Sequence, residues 1–170
     1  EKPLSVRLLT NMESNLLGNI ATLLYDEGKT TDAIQILPFL KGFYENTELD
    51  FAERAAHYPV VAYNLSCCIG REGRYTEAIE LCSNAIQMAV QAGQLDAFPL
   101  LLYNKGFCLL QLGNTEAGKT CITQAITIMQ AMGQEEAAAW MAQDINERFA
   151  THLPITVALD ESRRSLFLRD

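Results

Sequence analysis

Three asparagines recur at one position of a repeated pattern, and their side chains could bind a peptide. Asn19, Asn64 and Asn104 each stand nine residues before a glycine. An amide side chain both donates and accepts hydrogen bonds, so it can pair with the backbone of an extended chain without reading its sequence. Three such amides at the same place in successive units predict a ladder along a bound peptide backbone.

Residues that share a helical face with these asparagines complete the candidate site. Side chains three or four residues apart lie on one face of a helix. The predicted groove consists of Asn19, Thr22, Tyr63, Asn64, Cys67, Arg71, Tyr103, Asn104, Phe107 and Gln111. Its tyrosines and phenylalanine would supply apolar contact. In a structural alternative, each asparagine hydrogen-bonds a neighbouring helix end, which repetition explains equally well.

The elements that must position these residues are repeated helical hairpins. From Pro59 onward, eight positions carry the same residue again at an offset of 40 residues, and Pro59 recurs as Pro99. Apolar residues within each unit recur at helical spacing, and a glycine follows the first helix, where a left-handed conformation is common. We therefore expect an all-α chain of about seven helices, stacked as antiparallel pairs in a right-handed superhelix of about 3.5 repeats. Both prolines are predicted to lie in the first turn of a helix.

Small residues stand seven positions before and five positions after each turn glycine. In the second unit they are Ser66 and Ala78, and in the third unit Gly106 and Gly118. On antiparallel helices these rows face each other, so their small size predicts a close backbone approach. Considered by itself, Gly118 is expected to weaken its helix by about 1 kcal/mol relative to alanine.

The chain divides into a repeat domain, residues 1–153, and a tail, residues 154–170. Pro154 disfavours helix at the residue before it and so marks the boundary. In the tail, a short helix is predicted around residues 162–168, and its apolar triplet at 166–168 would pack on the last helix or on a partner subunit. The chain opens at Glu1 without methionine, and we expect it to be a fragment of a longer protein.

Composition and charge argue against several classes of function. The net charge of −8 and the pI near 4.8 disfavour nucleic-acid binding, which requires clustered cations. No apolar run approaches the roughly 18–20 residues that span a bilayer. The sequence shows no catalytic set, no cofactor-binding loop and no metal-ligand spacing, and its adjacent carboxylates would point about 100° apart on a helix. We expect neither an enzyme nor a cofactor.

The five cysteines form no CxxC pair and lie within apolar helical stretches. This pattern favours small buried thiols in a reducing compartment, and the cytoplasm is the expected location. The alternative is a redox switch through the adjacent Cys67 and Cys68.

The spacing of Ser66, Gly73, Ala78 and Ala85 resembles the tetratricopeptide repeat family, and the resemblance extends from about Leu16 to Phe149. The 40-residue period exceeds the family's usual length of about 34. With motifs such as Tyr-Asn-Leu-Ser at 63–66, these longer units look like the C-terminal sensor domains of bacterial helix-turn-helix transcription regulators of the peptide-sensing type.

The resemblance implies a peptide-sensing, oligomerising domain of a bacterial transcription regulator whose DNA-binding part lies outside this chain. Its expected partners are a short peptide or protein segment, bound by asparagines at the matching places, and a second copy of the chain in a homodimer. The alternative is a general protein-interaction scaffold or adaptor. Adaptors that capture acidic C-terminal tails need cations beside the asparagines, and Arg71 is the only cation there.

Overall fold

The computed structural model describes residues 11–46 and 50–150, which form seven α-helices and, within these ranges, no strand. The helices are α1 (Asn11–Asp26), α2 (Thr30–Asn46), α3 (Phe51–Arg71), α4 (Tyr75–Ala92), α5 (Phe98–Gln111), α6 (Thr115–Ala131) and α7 (Glu135–Phe149). Each helix packs against the next along the chain, so the helices stack as adjacent pairs. The predicted all-α stack is confirmed, and its right-handedness stays a prediction. The tail at 154–170, with its predicted helix, lies outside the described residues.

The turn within each hairpin is made by a glycine in the left-handed region. Gly73 has φ of 78° between α3 and α4, and Gly113 has φ of 79° between α5 and α6. Residues with a side chain adopt this conformation at a steric cost that glycine avoids. The glycine register therefore marks the ends of α3 and α5, as the sequence predicted.

The two prolines of the repeat occupy different places in their helices. Pro99 lies in the first turn of α5, as predicted. The prediction for Pro59 is wrong, because α3 begins eight residues earlier, where the Asp50 carboxylate accepts a hydrogen bond of 2.8 Å from the Glu53 N–H. Pro59 therefore stands inside α3, where its missing N–H costs one helical hydrogen bond. Its ring is buried in the protein.

The core forms two adjoining clusters that run through the stack. The first extends from α1 to α5 and contains Cys68, Cys82 and Cys108, each without exposed surface. The second joins α5, α6 and α7. Phe107 packs against both clusters and links them. No hairpin buries its apolar surface alone, so each depends on its neighbours.

The helices α5 and α6 approach each other most closely at two glycines. A Cβ atom on Gly106 would lie 2.6 Å from Ile122 Cγ1 and 2.9 Å from the Gly118 carbonyl oxygen. A Cβ atom on Gly118 would lie 2.8 Å from Leu110 Cγ. Alanine therefore does not fit at position 118 without movement, and the close contact requires the glycine that intrinsic helix propensity disfavours.

Replacing Gly106 by alanine is expected to destabilise the protein by about 1–3 kcal/mol, because the backbone oxygen of Gly118 cannot move aside. Gly42 is a matched control in α2, since a Cβ atom there would meet no atom within 4 Å. Gly42→Ala should leave stability unchanged or raise it by up to about 1 kcal/mol. Urea unfolding followed by circular dichroism measures both variants. Equal stabilities for the two variants would contradict the proposed contact.

Candidate functional site

The first helices of the hairpins, α1, α3, α5 and α7, form one continuous surface. The Cα atoms of each come within 8 Å of those of the next first helix, whereas the Cα atoms of α2, α4 and α6 stay farther from one another. A cleft of about 420 Å³ separates α2 from α4. Helices that lie closer together form the inner side of a curved stack. The surface of the first helices is therefore concave, and we call it the inner face.

Two of the three asparagines connect neighbouring first helices. The Asn64 amide donates a hydrogen bond of 2.9 Å to the Thr22 hydroxyl of α1, and the Asn104 amide donates one of 2.7 Å to the Ser66 hydroxyl of α3. The hydroxyls donate in turn to backbone carbonyls of their own helices. Each asparagine thus links its hairpin to the preceding one through two successive hydrogen bonds, from the amide to the hydroxyl and from the hydroxyl to the carbonyl. We call this pair of hydrogen bonds the relay.

The structure places the ten predicted residues at different depths. Asn19, Arg71 and Gln111 are exposed, Thr22, Tyr63, Asn64, Cys67 and Phe107 are half-buried, and Tyr103 and Asn104 are buried. The predicted ladder requires all three amides to be reachable from solvent, and this is wrong for Asn104, which is 8% exposed. Its partner is a serine hydroxyl, so the alternative of a helix-end contact does not describe it either.

An aromatic and cationic cluster covers the inner face between α1 and α3. The Arg71 guanidinium lies 3.9 Å from the centroid of the Tyr25 ring, and it also donates to the Tyr25 carbonyl at 3.4 Å. The Cys67 thiol interacts with the hydroxyls of Tyr25 and Tyr63. Burial raises the pKa of Tyr25 to about 12, with Cys67 adding to the shift and Arg71 opposing it. Both tyrosines are therefore neutral hydrogen-bonding groups at physiological pH.

The last helix, α7, extends this surface with residues that the sequence analysis did not include. The Tyr103 hydroxyl donates to Asp144, which also accepts a hydrogen bond of 2.7 Å from Arg148. The Tyr103 ring lies 5.6 Å from that of Trp140, and Phe107 meets Phe149 edge to face at 5.5 Å. Burial, together with the Asp144 acceptor, raises the pKa of Tyr103 well above its usual range.

The 40-residue offset is the signal that could have identified this part of the surface. In the repeat, Asp144 has the position that Asn104 has one unit earlier, and Trp140 has the position of Leu100. No glycine ends this fourth unit at the expected place, and its residues are absent from the predicted groove. The contacts show that α7 belongs to the inner face.

The five cysteines are free thiols. Cys68, Cys82 and Cys108 are fully buried, whereas Cys67 and Cys121 are half-buried, so the prediction of mostly buried thiols is confirmed. Burial raises the pKa of Cys67 to about 12 and that of Cys82 to about 11. Because the thiolate is the reactive form, these pKa values disfavour a redox role.

Among the described residues, no group of three His, Cys, Asp or Glu side chains could hold a metal ion. The helices found in the two described ranges are too short or too polar to cross a membrane.

Comparison with known proteins identifies one repeat. Residues 100–132, which comprise most of α5 and all of α6, match the family model described as Tetratricopeptide repeat. No curated protein matches the chain. Tetratricopeptide repeats are typically non-catalytic scaffolds that bind proteins or peptides, so the match favours the interaction scaffold over the regulator sensor. Homodimer formation, the bacterial regulator and the cytoplasmic location stay predictions.

Asn104→Ala is expected to destabilise the protein by about 1–3 kcal/mol, because the change leaves the buried Ser66 hydroxyl without this partner. Asn64→Ala should cost less, since that amide is half-buried. Asn84→Ala, at an exposed position of α4, is the matched control and should change stability by less than about 0.5 kcal/mol. Thermal unfolding compares the three variants. A neutral effect of Asn104→Ala would show that the relay contributes nothing.

The native protein should react slowly with a thiol-specific disulfide reagent at pH 8. The raised pKa values of Cys67 and Cys82 leave few thiolates at this pH. In guanidinium chloride all five thiols should react quickly, which provides the reference rate. Five fast-reacting groups in the native protein would contradict the burial of the cysteines.

Proposed function

We propose that this protein is an interaction scaffold that binds an extended segment of a partner protein along its inner face. The observation that carries the proposal is Arg71, an exposed cation fixed against the Tyr25 ring. In the part of the chain that the structure describes, no carboxylate lies within ion-pairing distance of Arg71. A positioned guanidinium without a carboxylate partner is suited to bind a carboxylate of the ligand.

The surroundings of Arg71 support an extended ligand. Tyr63 and Phe107 are half-buried, and Trp140 is 39% exposed, so apolar contacts continue from α3 to α7. Gln111, one repeat after Arg71, is also exposed and can pair with a peptide backbone. The ligand is therefore a segment that spans two or three hairpins and carries an acidic side chain or a terminal carboxylate.

Arg148 is a second cation on this face, and its guanidinium lies 5.8 Å from the centroid of the Phe107 ring. Asp144 already pairs with Arg148 at 2.7 Å. Arg71 is thus the cation available to the ligand. Arg148 and Asp144 together form an ion pair without net charge at the edge of this face.

A peptide array tests the proposal. The purified 170-residue chain is applied to random dodecapeptides, and bound peptides are titrated while the fluorescence of Trp140, the single tryptophan, is recorded. We expect micromolar binders enriched in Asp and Glu, a fluorescence change that saturates, and weaker binding at high salt. An array without saturable binders, or binders rich in Lys and Arg, would contradict the proposal.

Arg71→Ala should weaken a bound acidic peptide about tenfold or more, because a hydrogen bond to a charged group contributes about 1.5–3 kcal/mol. Lys29→Ala is the matched control, since it removes an exposed cation from the α1–α2 turn, and it should leave binding unchanged. Equal loss in both variants would indicate a general charge effect and would exclude a site at Arg71.

A further inference from the structure

A cavity of about 150 Å³ opens between α1 and α3 at the first hairpin. Ser14, Leu37, Tyr44 and Val61 are its buried lining residues, and Thr22, His57 and Asn64 are half-buried polar ones. No residue of its lining is an Asp, Glu, Lys or Arg. A cavity of this volume has room for a benzene ring, and its lining offers both apolar contact and hydrogen-bonding groups.

The repeat register explains why the cavity is present. Gly18 lines it and stands ten residues before its turn glycine, at the position held by Tyr63 and Tyr103 in the next two units. A Cβ atom on Gly18 would find its nearest neighbour, Leu40 Cδ1, at 3.9 Å. The first unit therefore has space where the later units have a tyrosine ring.

The contacts of Tyr103 show what that space is shaped to accept. The Tyr103 ring packs on Trp140, and its hydroxyl donates to Asp144, both on the following first helix. The residues at the same repeat positions of α3 are Val60 and Asn64. Both line the cavity beside Gly18. A ring in the cavity would thus find an apolar contact and a hydrogen-bonding amide in the arrangement that Tyr103 uses.

We infer that the cavity beside Gly18 is a binding pocket for one tyrosine side chain of the bound partner segment, and this inference rests on the proposed function. The ring lies between α1 and α3 against Val60, and the phenol hydroxyl donates to the Asn64 side-chain oxygen. The Asn64 amide nitrogen is already bound to Thr22 at 2.9 Å, which orients the oxygen. The uncharged lining selects against lysine, arginine and carboxylate side chains.

A tyrosine side-chain analogue tests the pocket without any peptide. The chain is titrated with p-cresol, and n-butylamine serves as the lysine analogue, while amide chemical shifts are followed by NMR. We expect p-cresol to shift the Gly18 backbone and Asn64 side-chain signals with a dissociation constant in the millimolar range, and n-butylamine to shift neither. Absence of p-cresol shifts at these residues overturns the inference.

Gly18→Tyr supplies the ring from within the chain and should abolish the p-cresol shifts. Thermal unfolding should show a midpoint no lower than that of the parent, because the new ring fills a cavity and replaces a helical glycine. Gly18→Ala is the control, since its methyl group leaves most of the space open, and it should retain p-cresol binding. Unchanged p-cresol shifts in Gly18→Tyr would place the ligand elsewhere and overturn the inference.

Peptides from the array separate this inference from the proposed function. Replacing tyrosine by alanine in a bound peptide should weaken binding at least tenfold to the parent chain and have no effect on binding to Gly18→Tyr. If peptides bind through Arg71 but show no such dependence, the pocket inference fails while the scaffold proposal stands. If p-cresol binds at Gly18 but no peptide binds, the scaffold proposal fails.

Discussion

The stack depends on the close approach of the two helices within each hairpin. Ala21 and Ala33 in the first unit, and Ser66 and Ala78 in the second, are fully buried at the positions where Gly106 and Gly118 meet in the third. Larger side chains there would separate the helices and open the core. The first helices of successive hairpins also lie against one another, and together they form the inner face.

Contact between first helices determines what the asparagines do. In a looser stack, an amide at this position would face solvent and be free for a ligand. Here the first helices of units two and three are close enough for the Asn104 amide to reach Ser66 at 2.7 Å. Asparagines at this repeat position therefore hold neighbouring hairpins together in the interior of the stack. In the first helix, the equivalent Asn19 is exposed. The groups that remain free to bind a partner segment are side chains nearer the surface, above all Arg71.

Departures from the repeat create the features that could recognise a partner. Gly18 replaces a tyrosine and leaves a cavity, whereas Asp144 replaces an asparagine and accepts the Tyr103 hydroxyl. Where the pattern is kept, the equivalent residues fill the contact between hairpins. Specific recognition by a repetitive scaffold requires such differences, since identical units would present the same surface at every step.

The sequence by itself determined the helical hairpins, the glycine turns and the rows of small residues, because these depend on local conformation and on spacing along one helix. It misplaced the start of α3, since the cap at Asp50 outweighs the local signal of Pro59. Only the tertiary structure decided how deeply each inner-face residue lies. The burial of Asn104, the position of Arg71 over Tyr25 and the cavity beside Gly18 all depend on the distance between helices that are about 40 residues apart in the chain, and no local pattern encodes that distance.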